Sequence, residues 1–263
     1  MRPMGLTRRR FGAIAGGTIA SFAFGEACRL ESEPLHANDG RLTARPRTNS
    51  ATSAEGTRAL GLERERDAIL QLPAGAASGP LPLLVLLHGA NGSGQGVLRR
   101  LGSAADEAGV AVLAPDSRDA TWDAIRDAFG RDVTFLDRAL RRAFELVSVD
   151  PARIAVGGFS DGATYALSLG LINGDLFRRI VAFSPGFIVD GTPNGRPRFF
   201  ISHGTADPIL PIDHCSRVIV PRLQRLGYDV TFREFNGRHE VPPPIAAEGM
   251  RWAAAVESTS GAQ

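Results

Sequence analysis

Ile154-Ala155-Val156-Gly157-Gly158-Phe159-Ser160-Asp161-Gly162-Ala163-Thr164-Tyr165-Ala166-Leu167 is the stretch on which the reading of this chain turns. An apolar, strand-like run leads directly into Gly158-Phe159-Ser160-Asp161-Gly162, and a helix-like run follows it. A serine at the tip of a sharp strand-to-helix turn is held in a strained backbone conformation, and only small residues two places either side let the chain segments pass without clash. The helix that follows aims its N-terminal amides at the serine, where they can stabilise developing negative charge. The pattern therefore reads as a turn that presents a nucleophile. The plainer alternative, a glycine-rich turn in a chain with 30 glycines, predicts no acid and base further along.

Both partners are present downstream, in the order Ser, Asp, His. Arg198-Phe199-Phe200-Ile201-Ser202 reads as a buried strand, and Asp207 follows it in His203-Gly204-Thr205-Ala206-Asp207-Pro208. Val230-Thr231-Phe232-Arg233-Glu234-Phe235 reads as the next strand, with His239 in the loop behind it. Each interval is long enough for a strand and a helical crossover. Of the five histidines, His36 falls in a linker, His88 and His203 lie in H-G turns at strand ends, and His214 opens a helix, so His239 is the candidate base. Asp213 and Asp229 rival Asp207, but a helix N-cap and a turn before a strand account for them.

Upstream, Leu83-Leu84-Val85-Leu86-Leu87 is a continuous apolar run of the kind a parallel strand buried on both faces needs. It runs into His88-Gly89-Ala90-Asn91-Gly92-Ser93-Gly94. In turns of this kind the loop after the third strand gives one amide to an oxyanion, and the residue after the nucleophile gives the other. The amides of Ala90 and Asp161 are the candidates. A phosphate-cradling loop would need G-K-[ST], and the chain contains no lysine.

Elsewhere strand-like and helix-like segments alternate. Arg66 to Leu72 alternates like an edge strand, and Val110 to Ala114 reads as a buried one. Leu136, Leu140, Ala143, Phe144 and Val147 fall at helical spacing, and Asp150-Pro151 then separates that helix from the nucleophile strand. The expected fold is α/β, an open, mostly parallel sheet flanked by helices. No connection is long enough for a large cap. The longest, Pro115 to Arg131, holds Trp122, which either lines an acyl pocket or is an aromatic tucked against the sheet edge. Loop residues around Trp122 and Phe187 are the expected walls of a short, open substrate cleft.

Together the His88-Gly89 loop, the Gly158 to Gly162 turn, the segment His203 to Pro208 and the ending Gly237-Arg238-His239-Glu240-Val241-Pro242-Pro243 resemble the bacterial phospholipase/carboxylesterase branch of the α/β-hydrolases. The chain is also similar to secreted polyhydroxybutyrate depolymerases and feruloyl esterases. The likeness covers roughly residues 60 to 256. It implies a serine carboxylesterase acting on a small ester, with Ser160, His239 and Asp207 as catalytic residues and neither metal nor organic cofactor. Acyl-protein thioesterases of that family carry Gln and two glycines after the nucleophile, whereas this chain has Asp161, Gly162 and Ala163, which counts against protein depalmitoylation. A serine peptidase of this fold usually carries a propeller or cap that this length excludes. A non-catalytic, envelope-anchored binding protein would be expected to have lost a member of the triad.

The front of the chain is of another character. Thr7-Arg8-Arg9-Arg10-Phe11 followed by a weakly hydrophobic stretch to Ala27 fits a twin-arginine export signal better than a membrane span. Residues 29 to 58 are poor in large apolar side chains and read as a disordered tether, leaving 59 to 263 as the catalytic domain. Cys28 stands where a lipoprotein signal would place its lipidated residue, although Gly25-Glu26-Ala27 matches such a signal poorly, and a plain leader is the alternative. Cys215 reads as a buried small hydrophobe. Residues 1 to 58 hold nine Arg and five acidic residues, the remainder 21 Arg and 23 acidic. The net charge of +2 thus originates in the leader and tether and gives no reason to expect a nucleic-acid partner.

Overall fold

Six strands run parallel, so their carboxyl ends open on one side of the sheet, and every candidate residue lies on a loop at that side. The computed structural model describes residues 39–46, 55–76 and 79–256. In chain order the elements are β1 (Gly56–Ala59), β2 (Ala68–Leu72), β3 (Leu81–Leu87), α1 (Gly94–Glu107), β4 (Ala111–Pro115), α2 (Asp123–Arg126), α3 (Arg131–Leu146), β5 (Val149–Phe159), α4 (Asp161–Ile172), β6 (Arg179–Phe183), β7 (Arg198–Gly204), α5 (Ser216–Arg225), β8 (Val230–Phe235) and α6 (Pro243–Ala254). The eight strands are ordered β1-β2-β4-β3-β5-β6-β7-β8, with only β1 and β2 antiparallel to their neighbours. This is the α/β-hydrolase architecture, and no large cap stands among the described residues.

The central strands β3 and β4 are apolar throughout, and β6 is apolar after Arg179, because both of their faces are covered. One face packs on α1 and α6 through Val97, Leu98, Leu101 and Met250. The other carries α3 and α4 through Leu136, Leu140, Phe144, Tyr165 and Leu169. Every residue of α4 except its first is buried, so this helix is core on all sides rather than amphipathic. The helical spacing in α3 buries the five residues the sequence singles out.

Three expectations change. The strand at Ala68–Leu72 is not the edge: β1 pairs outside it, from a stretch whose composition reads as tether. Asp150 and Pro151 lie within β5, beside an irregularity in its pairing with β3, while the preceding helix already ends at Leu146. Residues 39–46, also expected to be tether, are packed against the domain, with Leu42 and Ala44 buried. Their backbone is satisfied by distant side chains. Leu42 N–H donates to Asn173 Oδ1 at 2.8 Å, the amides of Thr43 and Ala44 both donate to Asp137 at 2.7 Å, and Asn173 Nδ2 donates back to Gly40 O at 2.8 Å. The other residues of 1–38 and 47–54, including the export signal, His36 and Cys28, lie outside the described residues. Among the described residues no helix is long and apolar enough to cross a membrane.

Asn173 is fully buried and serves both the docked segment and the carbonyl of Leu169. Asn173→Ala leaves buried backbone groups unsatisfied, and the expected loss is about 2–4 kcal/mol in urea unfolding together with faster tryptic cleavage at Arg41 and Arg45. Unchanged stability and cleavage would show that the segment is not held as described.

Candidate active site

Ser160 stands between the end of β5 and the start of α4 at φ 58° and ψ −122°, a left-handed conformation that side chains other than glycine adopt only under constraint. The constraint comes from its neighbours. A Cβ on Gly162 would lie 2.2 Å from Leu87 O and 2.5 Å from His88 O, and one on Gly158 would lie 2.5 Å from the Gly162 carbonyl group. The turn is thus pressed against the end of β3 with no room for a side chain at either glycine. Ser160 N–H donates to Phe183 O at 3.0 Å, and Ser160 O takes the amides of Ala163 and Thr164 to begin α4.

Asp207 and His239 reach the serine from the loops after β7 and β8. His239 Nε2 is 2.8 Å from Ser160 Oγ, and Nδ1 is 2.6 Å from Asp207 Oδ2. The two loops are stitched together by Ala206 N–H donating to Gly237 O, and Gly204 abuts Arg238 so closely that a Cβ would lie 2.2 Å from its carbonyl oxygen. Asp207 Oδ1 accepts the amides of Ile209 at 2.8 Å and Leu210 at 2.9 Å. Burial alone would push this carboxyl up, but the amide of Leu210, the His239 ring and the amide of Ile209 outweigh it and hold Asp207 below the usual carboxylate range.

Beneath the acid lies His203, whose Nε2–H donates to Leu210 O at 2.7 Å and stands 3.3 Å from Asp207 Oδ2, while its Nδ1 accepts from the Ser216 hydroxyl at 2.7 Å. Burial lowers its pKa, which keeps it neutral at physiological pH. Asp213 is ion-paired with Arg217 and Asp229 with Arg198, so neither rival acid belongs to the triad geometry. His214 closes a short 3-10 turn rather than opening a helix, and Cys215 is buried as expected.

Gly89 packs on the serine, since a Cβ there would lie 3.2 Å from Ser160 Cβ, and this brings the next residue, Ala90, alongside. Among the described residues neither Ala90 N–H nor Asp161 N–H donates to a protein acceptor. The segment 117–122 braces both. His88 Nε2 accepts from Ser117 N–H at 2.9 Å, so its Nδ1 carries the proton and donates to Gly89 O at 2.7 Å. Burial depresses the His88 pKa and keeps it in that neutral form. Asn91 N–H donates to Ala120 O, and Thr121 Oγ1 donates to Asp161 Oδ2 at 2.6 Å. The brace is itself anchored by Asp132, which accepts the amides of Arg118 and Asp123 and is pushed up to about 6, by burial first and by the nearby Asp123 second.

Trp122 corrects the sequence reading. It is fully buried, not at the sheet edge and not on a cleft wall: its indole N–H donates to His88 O at 2.8 Å and its ring packs between His88 and Tyr165. Phe187 is 47% exposed on the loop after β6, where Gly186 N–H donates to Thr164 Oγ1. It does not line the cleft of about 530 Å³ walled by His88 to Ala90, Ser93, Val97, Arg99, Arg100 and Phe159, which adjoins the serine through Gly89 and Phe159. Phe159 also packs on the His239 ring, with centroids 4.7 Å apart. Sequence reasoning passed over Phe159, Ser117, Thr121 and the bracing role of His203. Only their neighbours in the motifs carried a signal. Among the described residues no group of three or more His, Cys, Asp or Glu is arranged to hold a metal ion.

Residues 110–248 match the model of the phospholipase/carboxylesterase family. NocK of Nocardia uniformis subsp. tsuyamanensis, named as an esterase, is 30% identical over 185 residues, 65% of this chain and 53% of that protein. Acyl-protein thioesterase 1 of Emericella nidulans is 28% identical over 112 residues, 39% of this chain and 46% of that protein. The chain thus spans about half the length of these relatives. Among solved structures, a carboxylesterase of Mesorhizobium loti superposes with a TM-score of 0.56 at 21% identity, covering 77% of this chain and 100% of that one, a likeness of fold. With more than half of its length matched by the family model, the chain belongs to the phospholipase/carboxylesterase family of α/β-hydrolases.

Proposed function

We propose that the protein is a serine carboxylesterase that works through an acyl-enzyme. The observation that carries this reading is the continuous hydrogen-bonded line from Ser160 Oγ through the His239 ring to Asp207, beside two backbone amides without a protein acceptor. Ser160 Oγ attacks the ester carbonyl as His239 Nε2 takes its proton. Asp207 keeps the ring proton on Nδ1, so that Nε2 is the basic nitrogen, and stabilises the imidazolium that forms. The amides of Ala90 and Asp161 donate to the oxyanion, a contribution of roughly 3–4 kcal/mol per donor in comparable sites. The imidazolium then protonates the departing alcohol, and a water activated by His239 releases the acid.

The substrates best suited to this site are short-chain or compact aromatic esters. Its walls are strand-end loops and the start of α1, with no cap among the described residues, so a long acyl chain leaves methylenes in water and forgoes the roughly 0.8 kcal/mol that burying each would yield. The twin-arginine pattern at Thr7 to Phe11 supports export to the envelope or beyond, and Cys28 is the residue through which the protein would be lipid-anchored.

Three measurements test this reading. Ser160→Ala is expected to lower ester turnover by about 10⁴ to 10⁶ and abolish fluorophosphonate labelling in a folded protein. More than a tenth of the activity remaining would remove Ser160 from its role. Across p-nitrophenyl esters from acetate to palmitate, kcat/KM is expected to peak at the short end, and a maximum at palmitate would point to a concealed acyl tunnel instead. Replacing Arg8 and Arg9 by Lys is expected to strand precursor in the cytoplasm, because a receptor reads the pair and charge alone does not suffice; unchanged fractionation would indicate another route.

A further inference from the structure

The cleft beside Ser160 carries a charge that the esterase reading alone does not use. Arg99 and Arg100, adjacent on α1, both line it and are exposed. Among the described residues neither forms an ion pair, whereas Arg217 and Arg233 are each matched by carboxylates. No acidic side chain lines the cleft. Of the acids near the residues that line it, Asp161 accepts from the Thr121 hydroxyl through Oδ2, and Asp116 gives Oδ1 to the amide of Gly94.

Arg100 is also fixed in place. Its guanidinium lies 4.8 Å from the centroid of the Phe159 ring, and that ring packs in turn on His239. One ring, Phe159, therefore lies between the cation and the catalytic imidazole. A guanidinium set over a ring still has N–H groups to offer an anion, and a carboxylate accepts them in pairs. Val97 and Phe159 give the same cleft apolar surface, suited to the few carbons that would separate the anion from the ester carbonyl.

Resting on the esterase reading, we propose that Arg99 and Arg100 form an anion subsite, and that the substrate class is an ester bearing a carboxylate a few atoms from the bond that is cleaved. The charge sits either on the acyl part, as in a monoester of a dicarboxylic acid, or on the alcohol part, as in an acylated hydroxy acid. Binding is reversible, and the bonds made and broken in acyl transfer are the same with or without it.

The test compares kcat/KM within two matched pairs at low ionic strength: the 4-nitrophenyl monoester of glutaric acid against 4-nitrophenyl butyrate, and 4-acetoxybenzoate against phenyl acetate. In at least one pair the anionic ester is expected to be favoured by about fivefold to twentyfold, the range of partly exposed charge pairs made by two arginines. The double variant Arg99→Gln/Arg100→Gln is expected to bring that ratio to about one, and 0.5 M NaCl to shrink it in the wild type. A wild type that hydrolyses the neutral esters at least as well in both pairs, or a ratio unchanged in the double variant, overturns the subsite while leaving the esterase reading standing. A wild type that turns over none of the four esters and takes no fluorophosphonate label overturns the esterase reading and the subsite with it.

Discussion

The contact on which the site depends is the close approach of the turn at Ser160 to the end of β3. Gly162 lies against the carbonyls of Leu87 and His88, and Gly158 lies against Gly162, which holds Ser160 at the tip of the turn between Phe159 and Asp161. Its positive φ is a local strain, of the order of 1–3 kcal/mol for a non-glycine residue, sustained by packing that offers the backbone no other path. α4 supplies that packing. A helix buried on all sides cannot shift without opening both β5 and β6, so the serine is fixed by the core rather than by its own loop.

The two buried histidines show how the other loops acquire comparable rigidity. His88 and His203 are each neutral, each holds its two ring nitrogens in hydrogen bonds, and each ties a catalytic loop to a second segment of chain. Because burial favours the uncharged ring in both, the donors and acceptors they present stay the same as pH falls toward the range where a free histidine titrates. His239, with 15% of its side chain exposed, is more accessible than these two.

What the sequence disclosed and what it concealed divide along a physical line. Ser160, Asp207 and His239 were legible because each lies just past the end of a recognisable strand, and because the steric demands of the turn at Ser160 specify glycine at fixed offsets. The docking of residues 39–46 was not, because acceptors on Asn173 and Asp137, far along the chain, satisfy that backbone, and nothing local records them. β1 escaped for a related reason: a short, exposed edge strand needs no apolar face. Trp122 was found but given the wrong surroundings, since one aromatic in a long connection carries no period from which burial can be read. Phe159, Arg99 and Arg100 converge on the cleft from β5 and α1, a meeting that only the assembled sheet brings about.

A cationic cleft and a firmly ionised acid are linked requirements. In the proposed acyl transfer the His239 ring takes up a proton, and a guanidinium on the far side of the Phe159 ring opposes that charge. Asp207 is in direct contact with the same ring, and Coulomb energy falls with distance and with the water between charges, so the acid outweighs the more distant and more exposed arginine. That holds only while Asp207 remains a carboxylate. The amides of Leu210 and Ile209 secure it, and His203 holds the Leu210 carbonyl from the other side, so the acid loop keeps its shape beneath the charge. An anionic substrate seated on Arg99 and Arg100 would neutralise the opposing cation at the moment the imidazolium forms. In that arrangement the group that recognises the substrate and the group that accepts the proton are coupled through a single ring, Phe159.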